Sequence, residues 1–189
     1  AAQRGDVTAL RAFVGQELGG IYQIYVSLSM FAQGRADFER TVAVLRARKP
    51  TPESTLALAL ALRSLSILAT RLGQRRHDHG ARQAIEENIA ILERLGVEKE
   101  LALSQIWAAI AFGYDPDALR NILRRCRRVG YAYGVAWACH LLGGGAMYQG
   151  RYDEAESYTR EALHLMQTMG HVRGTGWVVR SLGALAHIQ

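Results

Sequence analysis

Cysteine is scarce in this sequence, and its spacing argues against a disulfide framework or a zinc site. Only two cysteines occur in 189 residues, Cys126 and Cys139, and neither belongs to a CxxC or Cys/His motif. Such usage favours a reducing compartment, with both thiols buried in the core. We therefore expect a cytoplasmic protein with two free, buried thiols.

Motifs of enzymatic chemistry are missing as well. The sequence contains no GxGxxG, P-loop, nucleophile elbow, HExxH or paired-carboxylate pattern. His77-Asp78-His79 offers two imidazoles and a carboxylate, but no further ligand lies nearby, so we interpret it as a loop and expect no metal. The sequence predicts a protein that is not an enzyme and that needs no cofactor.

Long uninterrupted apolar runs are absent. The longest, TLALALALRSLSILATRL, is broken by Arg63 and carries serine and threonine, whereas a bilayer span needs roughly 18 to 20 apolar residues. The N-terminal residues AAQRGDVTALRAF lack the pattern of a signal peptide and are interpreted as a cut end. We expect no transmembrane helix and no membrane partner.

The few prolines and the type of apolar residue predict helices throughout. The alternation LALALAL consists of leucine and alanine rather than β-branched residues, which favours helix over strand. Pro50 ends one helix, and Thr51 and Pro52 supply the N-cap and first residue of the next. Later in the chain, Asp115 and Pro116 supply the N-cap and the first residue of another helix.

Glycines recur with a period near 39 residues, which indicates a helical repeat. One set closes four apolar runs at intervals of 39, 40 and 37 residues: Gly34, Gly73, Gly113 and Gly150. A second set ends the helices that follow three of them: Gly96, Gly130 and Gly170. The approximate units are 17–50, 53–96, 98–130, 132–170 and a partial 172–189. Each complete unit is predicted to be helix, tight turn, helix and turn.

Two segments forty residues apart show the repeat directly. GVAWACHLLGG matches GTGWVVRSLGA, which pairs Trp137 with Trp177 and Gly143 with Gly183. A glycine inside a helix costs roughly 1 kcal/mol relative to alanine, so the position must need a small residue. We predict that Gly143 lies where paired helices cross closely. Either Gly144 and Gly145 relieve crowding against the neighbouring unit, or Gly144 leaves a hollow in the wall of a groove.

The stretch WACHLLGGGAMYQGRYDEAESYTREAL resembles a tetratricopeptide repeat. The matching positions are Leu142, Gly143, Gly150, Tyr152, Ala155, Ala162 and Leu163. The longer period resembles the repeat arrays of MalT-type, LuxR-related bacterial transcriptional activators. This resemblance implies one all-α domain over 1–189, a right-handed superhelical solenoid of four to five helix pairs, cut from a longer chain. It also implies a sensor or docking role in transcription regulation or signalling.

The resemblance implies a concave groove lined by the first helices. The groove residues carried over are Trp137, His140, Met147, Tyr148, Trp177, Arg180, Arg63, Arg71 and Trp107. A groove lined by aromatic side chains and a few cationic ones suits an acidic or aromatic peptide, a protein or a small anionic effector. The net charge of +6 is compatible with such a partner. The alternative interpretation is that the tryptophans only pack between repeats.

Two other functions remain open from the sequence. The first is a structural adaptor that associates with itself, with a homodimer through the terminal helix 172–189 because Val178, Leu182, Leu185 and Ile188 leave it no polar outer side. The second is nucleic-acid contact through the arginine-rich helix 120–128. That helix is expected on the convex side with a solvated face, so we do not expect nucleic acid to bind through this domain.

Overall fold

The computed structural model describes residues 21–72 and 78–188, and every regular element in those ranges is a helix. The helices are α1 (Tyr22–Ser27), α2 (Phe31–Arg46), α3 (Pro52–Arg71), α4 (His79–Leu95), α5 (Glu98–Phe112), α6 (Pro116–Arg128), α7 (Ala132–Tyr148), α8 (Tyr152–Thr168) and α9 (Val172–Ile188). The all-α prediction is confirmed for this part of the chain. The chain divides into two compact units, unit 1 ending at Phe112 and unit 2 beginning at Gly113. The division falls inside the third predicted helix pair.

The helix starts marked by proline lie where the sequence placed them. Thr51 caps α3 in a reciprocal pair: its Oγ1 accepts from the Ser54 amide at 3.1 Å, and Ser54 Oγ accepts from the Thr51 amide at 2.8 Å. Asp115 caps α6 by accepting from the Ala118 amide at 3.0 Å. Each cap satisfies a backbone donor that the first helical turn leaves unpaired.

Most of the predicted turn glycines are confirmed. Five glycines between helices have positive φ angles of 63° to 91°, a region that residues with a Cβ rarely adopt: Gly96, Gly113, Gly130, Gly150 and Gly170. Gly73 lies outside the described residues.

The turn predicted at Gly34 is wrong. Gly34 lies inside α2 and is buried, and the chain instead turns near Ser29, whose φ is 56°. A Cβ at Gly34 would lie 2.8 Å from Cγ of Tyr25. Gly34 therefore serves a close contact between α1 and α2, and the 39-residue interval that starts there does not mark a repeated turn.

Helix α3 is the core of unit 1 and packs against α2, α4 and α5. Leu60, Leu62 and Leu68 are fully buried, and Asn88 of α4 donates to the Ala59 carbonyl at 2.6 Å. By length and composition α3 does qualify as a candidate membrane span, contrary to the sequence expectation. Because 72% of that window is buried inside the protein, most of the helix already packs against other helices.

Unit 2 contains α6 to α9, and each of these helices packs against the next one along the chain. Helix α7 also contacts α9. The prediction for Gly143 is confirmed: a Cβ there would lie 2.5 Å from Thr159 Oγ1 and 3.2 Å from the Ala155 carbonyl oxygen, both on α8. A Cβ at Gly144 would meet no atom within 4 Å in the part of the chain that the structure describes. A Cβ on Gly145 would lie 2.9 Å from the hydroxyl of Tyr114. The three consecutive glycines thus have three different surroundings.

The two cysteines are free and buried, as predicted. Burial raises the pKa of the Cys126 thiol to about 11 and that of Cys139 to about 12. Both thiols are therefore protonated at neutral pH and behave as small core residues.

Candidate functional site

Aromatic and imidazole rings gather between α7 and α9. This α7–α9 aromatic cluster consists of Tyr133, Trp137, His140, His171 and Trp177. Trp137 is its centre, with ring centroids 5.6 Å from Trp177, 5.7 Å from His140 and 6.2 Å from Tyr133. Tyr133 also meets His171 at 5.4 Å. All these pairs are edge-to-face, the arrangement that ring quadrupoles favour.

Helical spacing explains the α7 side of the cluster. Tyr133, Trp137 and His140 are spaced i, i+4 and i+7, which places them on one face of the helix. Trp137 is only 6% exposed, whereas the other four rings are half-buried. Trp137 therefore packs between helices, and its neighbours form the surface that a ligand could reach.

His171 holds the α9 side in place. Its Nδ1 accepts a hydrogen bond from the Gly174 amide at 2.9 Å, near the start of α9. A Cβ at Gly174 would lie 2.5 Å from that nitrogen, so the glycine makes room for the bond. With Nδ1 as acceptor, the neutral ring carries its proton on Nε2.

His140 and Arg180 form the polar part of the site. Burial, and secondly the charge of Arg180, lower the pKa of His140, so its imidazole is neutral at pH 7. Its Nδ1 is buried and has no hydrogen-bond partner within 21–72 and 78–188. Arg180 is exposed and belongs to none of the ion pairs formed by the described residues. A cation thus lies near the imidazole of His140, which belongs to the α7–α9 aromatic cluster.

Four predicted site residues come together here, namely Trp137, His140, Trp177 and Arg180. Two others on α7 do not join them. Met147 packs against the small core of Ala146, Ala155 and Leu185, and Tyr148 is 90% exposed at the end of the helix. Ten residues of helix separate Met147 from Trp137, which is about 15 Å along the axis.

The three predicted residues of unit 1 have a different setting. Arg63 is buried and forms an ion pair with Glu100, which is also buried. The expectation that Arg63 lines a groove is therefore wrong: a buried guanidinium needs a counter-charge, and Glu100 of α5 supplies it. Trp107 is also buried, at 9% exposure, and Arg71 is half-buried in the last turn of α3.

Sequence reasoning missed Tyr133 and His171. Tyr133 lies four residues before Trp137, and this spacing on a predicted helix was a usable signal. His171 directly follows the turn glycine Gly170, where a side chain that accepts hydrogen bonds can cap a helix. Neither pattern belongs to the groove positions that the repeat resemblance supplies.

The other charged motifs have partners within the fold. On the arginine-rich helix α6, Arg120 pairs with Asp117 at 2.6 Å and Arg127 pairs with Glu161 at 2.7 Å. Asp78 caps α4 through the Ala81 amide at 2.9 Å and meets Arg35 at 3.2 Å. No group of three or more potential metal ligands occurs among the described residues, and His77 lies outside them.

A cavity of about 460 Å³ lies in unit 1, where α2, α3 and α4 meet. Apolar residues such as Leu58 and Ile91 line it together with Arg46, whose charge is paired with Glu87. None of the predicted site residues lines this cavity. The cavity is therefore separate from the four predicted residues that come together in unit 2.

Comparison with protein-family models, curated proteins and solved structures finds no match to this chain.

Proposed function

We propose that this chain is a tetratricopeptide-like binding domain of a cytoplasmic bacterial regulatory or signalling protein, without catalytic activity. Its ligand carries a carboxylate and docks on the α7–α9 aromatic cluster beside Arg180. The ligand is an acidic peptide segment of a protein or a small carboxylate effector, which share this chemistry. The superhelical arrangement and the relation to MalT-type activators belong to the same proposal.

The observation that carries the proposal is the positive charge of Arg180, which no acidic residue of α9 offsets. Arg180 is exposed and lies close enough to His140 to lower its pKa, and α9 contains no acidic residue. Arg180 supplies charge-assisted donors for a carboxylate, and the half-buried ring of Trp177 supplies an apolar contact. A bound carboxylate would also favour the charged form of His140, which would then donate a second hydrogen bond.

Tryptophan fluorescence tests the proposal, because two of the three tryptophans belong to the cluster. The probes are the blocked peptide Ala-Glu-Phe-Glu, its glutamine counterpart Ala-Gln-Phe-Gln, and phenylacetate as a small carboxylate. The acidic peptide or phenylacetate should change the emission in a saturable way, and the stronger of the two identifies the ligand source. The neutral peptide should bind at least tenfold more weakly.

Arg180→Gln should weaken binding of the acidic probe about tenfold, the equivalent of about 1.4 kcal/mol. Arg173→Gln is the matched control, because Arg173 is also an exposed arginine of α9 but lies two helical turns away. Equal effects of the two substitutions, or equal binding of the neutral and acidic peptides, would contradict the proposal.

A further inference from the structure

The cavity of unit 1, where α2, α3 and α4 meet, has the size of a small-molecule site. Its volume is about 460 Å³, and protein sites for small ligands span roughly 300 to 1000 Å³. Three segments line it: the last turn of α2 with the connection that follows, the first two turns of α3, and the second half of α4. The cavity therefore belongs to unit 1 alone and shares no residue with the α7–α9 aromatic cluster.

One part of the cavity lining is aliphatic. Leu45 of α2 and Ile91 of α4 are 4% and 3% exposed, whereas Leu58 of α3 and Leu95 of α4 are only half-buried. Because Leu58 and Leu95 keep part of their apolar surface in water, a ligand that covers them gains the free energy of burying that surface. No aromatic side chain lines the cavity among the described residues. Without a ring for stacking, this lining fits an alkyl chain better than an aromatic group.

The charged part of the lining has an excess of positive charge. Three arginines line the cavity, Arg46, Arg48 and Arg94, whereas Glu87 supplies the one carboxylate among the described lining residues. Arg46 pairs with Glu87, so these two charges offset each other. Arg48 is half-buried, Arg94 is exposed, and neither belongs to any ion pair formed within 21–72 and 78–188. Two guanidinium groups therefore remain as charge-assisted donors for an anion.

The walls of the cavity are held in place by interactions between the three helices. The Arg46–Glu87 ion pair joins α2 to α4. Asn88, the next residue of α4, is buried and donates to the Ala59 carbonyl of α3 at 2.6 Å. The start of α3 is fixed by its reciprocal cap. A ligand therefore finds the lining already formed, and little loss of chain entropy opposes its binding.

We infer that the cavity of unit 1 binds a small aliphatic carboxylate, with its alkyl chain on Leu58 and Leu95 and its carboxylate on Arg48 and Arg94. A single negative charge fits better than a phosphate dianion, because Glu87 lies in the same lining and repels negative charge. This site is additional to the α7–α9 aromatic cluster, and the inference stands whether or not that cluster binds a ligand.

Isothermal titration calorimetry of the complete chain with sodium octanoate tests the inference. Octanoate should bind in a saturable way, and butanoate should bind at least tenfold more weakly, because each buried CH₂ group tightens binding by up to about fourfold. The uncharged 1-octanol has the same chain length and should also bind at least tenfold more weakly. Raising the salt concentration should weaken octanoate binding, because opposite charges contribute.

Arg94→Gln tests the charged part of the site and should weaken octanoate binding about tenfold. Because Arg94 is exposed and outside the ion pairs of the described residues, the variant should fold normally. Arg82→Gln is the matched control, since Arg82 is also an exposed arginine of α4 but does not line the cavity. It lies twelve residues earlier, about 18 Å along the helix axis, and should change binding less than twofold.

Leu58→Phe tests the apolar part of the site. Because Leu58 is half-buried at the cavity, the larger ring can extend into it and should weaken octanoate binding at least fivefold. Urea denaturation of the variant checks that the fold is kept. The same variant should leave the phenylacetate titration of the aromatic cluster unchanged, and Arg180→Gln should leave octanoate binding unchanged. Failure of this inference and failure of the proposed function are therefore separable.

Three results would overturn the inference. One is the absence of saturable octanoate binding, and another is equally tight binding of 1-octanol, which would leave the arginines without a role. The third is octanoate binding that Arg94→Gln leaves unchanged. If Arg180→Gln weakens that binding instead, the octanoate lies on the aromatic cluster and not in the cavity.

Discussion

Helices α7 and α9 have matching sequences forty residues apart but opposite surroundings. Trp137 is buried, whereas Trp177 is half-buried. Gly143 lies against Thr159, whereas a Cβ at Gly183 would meet no atom of the described residues within 4 Å. The repeat pattern therefore identifies equivalent positions but does not say which of them are covered. The covered copy shows which kind of helix packs on a surface of this shape.

The largest expected difference between the two helices concerns their tryptophans. Trp137→Ala should lower the free energy of unfolding by roughly 3 to 5 kcal/mol, the usual cost of truncating a buried aromatic residue. Trp177→Ala should cost less than about 2 kcal/mol, because its ring is already partly in water. Urea denaturation of both variants measures the difference. Equal losses would mean that both rings are core residues and would weaken the proposed ligand surface.

Substitution of Gly143 and Gly183 should give a smaller difference in the free energy of unfolding. Only the variant at Gly143 should be destabilised. Gly143→Leu should destabilise the protein by roughly 1 to 3 kcal/mol, because the new side chain must displace Thr159 and the backbone of α8. Gly183→Leu should leave stability unchanged or raise it by up to about 1 kcal/mol. Thermal and urea midpoints of the two variants provide the measurement. An unchanged midpoint for Gly143→Leu would remove the basis for comparing the two faces.

The sequence predicted those features whose physical cause is local. The caps at Thr51 and Asp115 need only a side-chain oxygen near three backbone amides, and the turn glycines need only a positive φ. The close crossing at Gly143 was predictable too, because an interior glycine has a propensity cost that some contact must offset.

Features that depend on a distant partner were not predictable in this way. Gly34 has the same neighbours in sequence as a turn glycine, and only the position of Tyr25 makes it a contact between helices. The repeat resemblance placed Arg63 in a groove, and only the position of Glu100, 37 residues away on another helix, makes it a buried ion-pair partner. The superhelical arrangement of the repeats stays a prediction.

The smallest expected effect concerns His140 and Arg180, which occupy equivalent positions on α7 and α9. Arg180→Gln removes the second cause of the lowered pKa of His140 and leaves burial, the larger cause. The pKa should therefore rise but remain below its usual value. Titration of the histidine Cε1 protons by NMR measures it, with His140→Gln assigning the signal.

The same pair makes stability depend on pH in a defined direction. An unfolded histidine titrates near pH 6.5, and the folded pKa of His140 is lower, so the unfolded state binds more protons between the two values. The contribution of neutral His140 is complete above about pH 6.5 and decreases as the pH falls toward the folded pKa. Because Arg180→Gln brings the two pKa values closer, the variant should lose less stability than the wild type between pH 7.5 and pH 5.5. An identical loss in the two proteins would show that Arg180 does not act on His140 and would contradict the proposed role of Arg180 at the site.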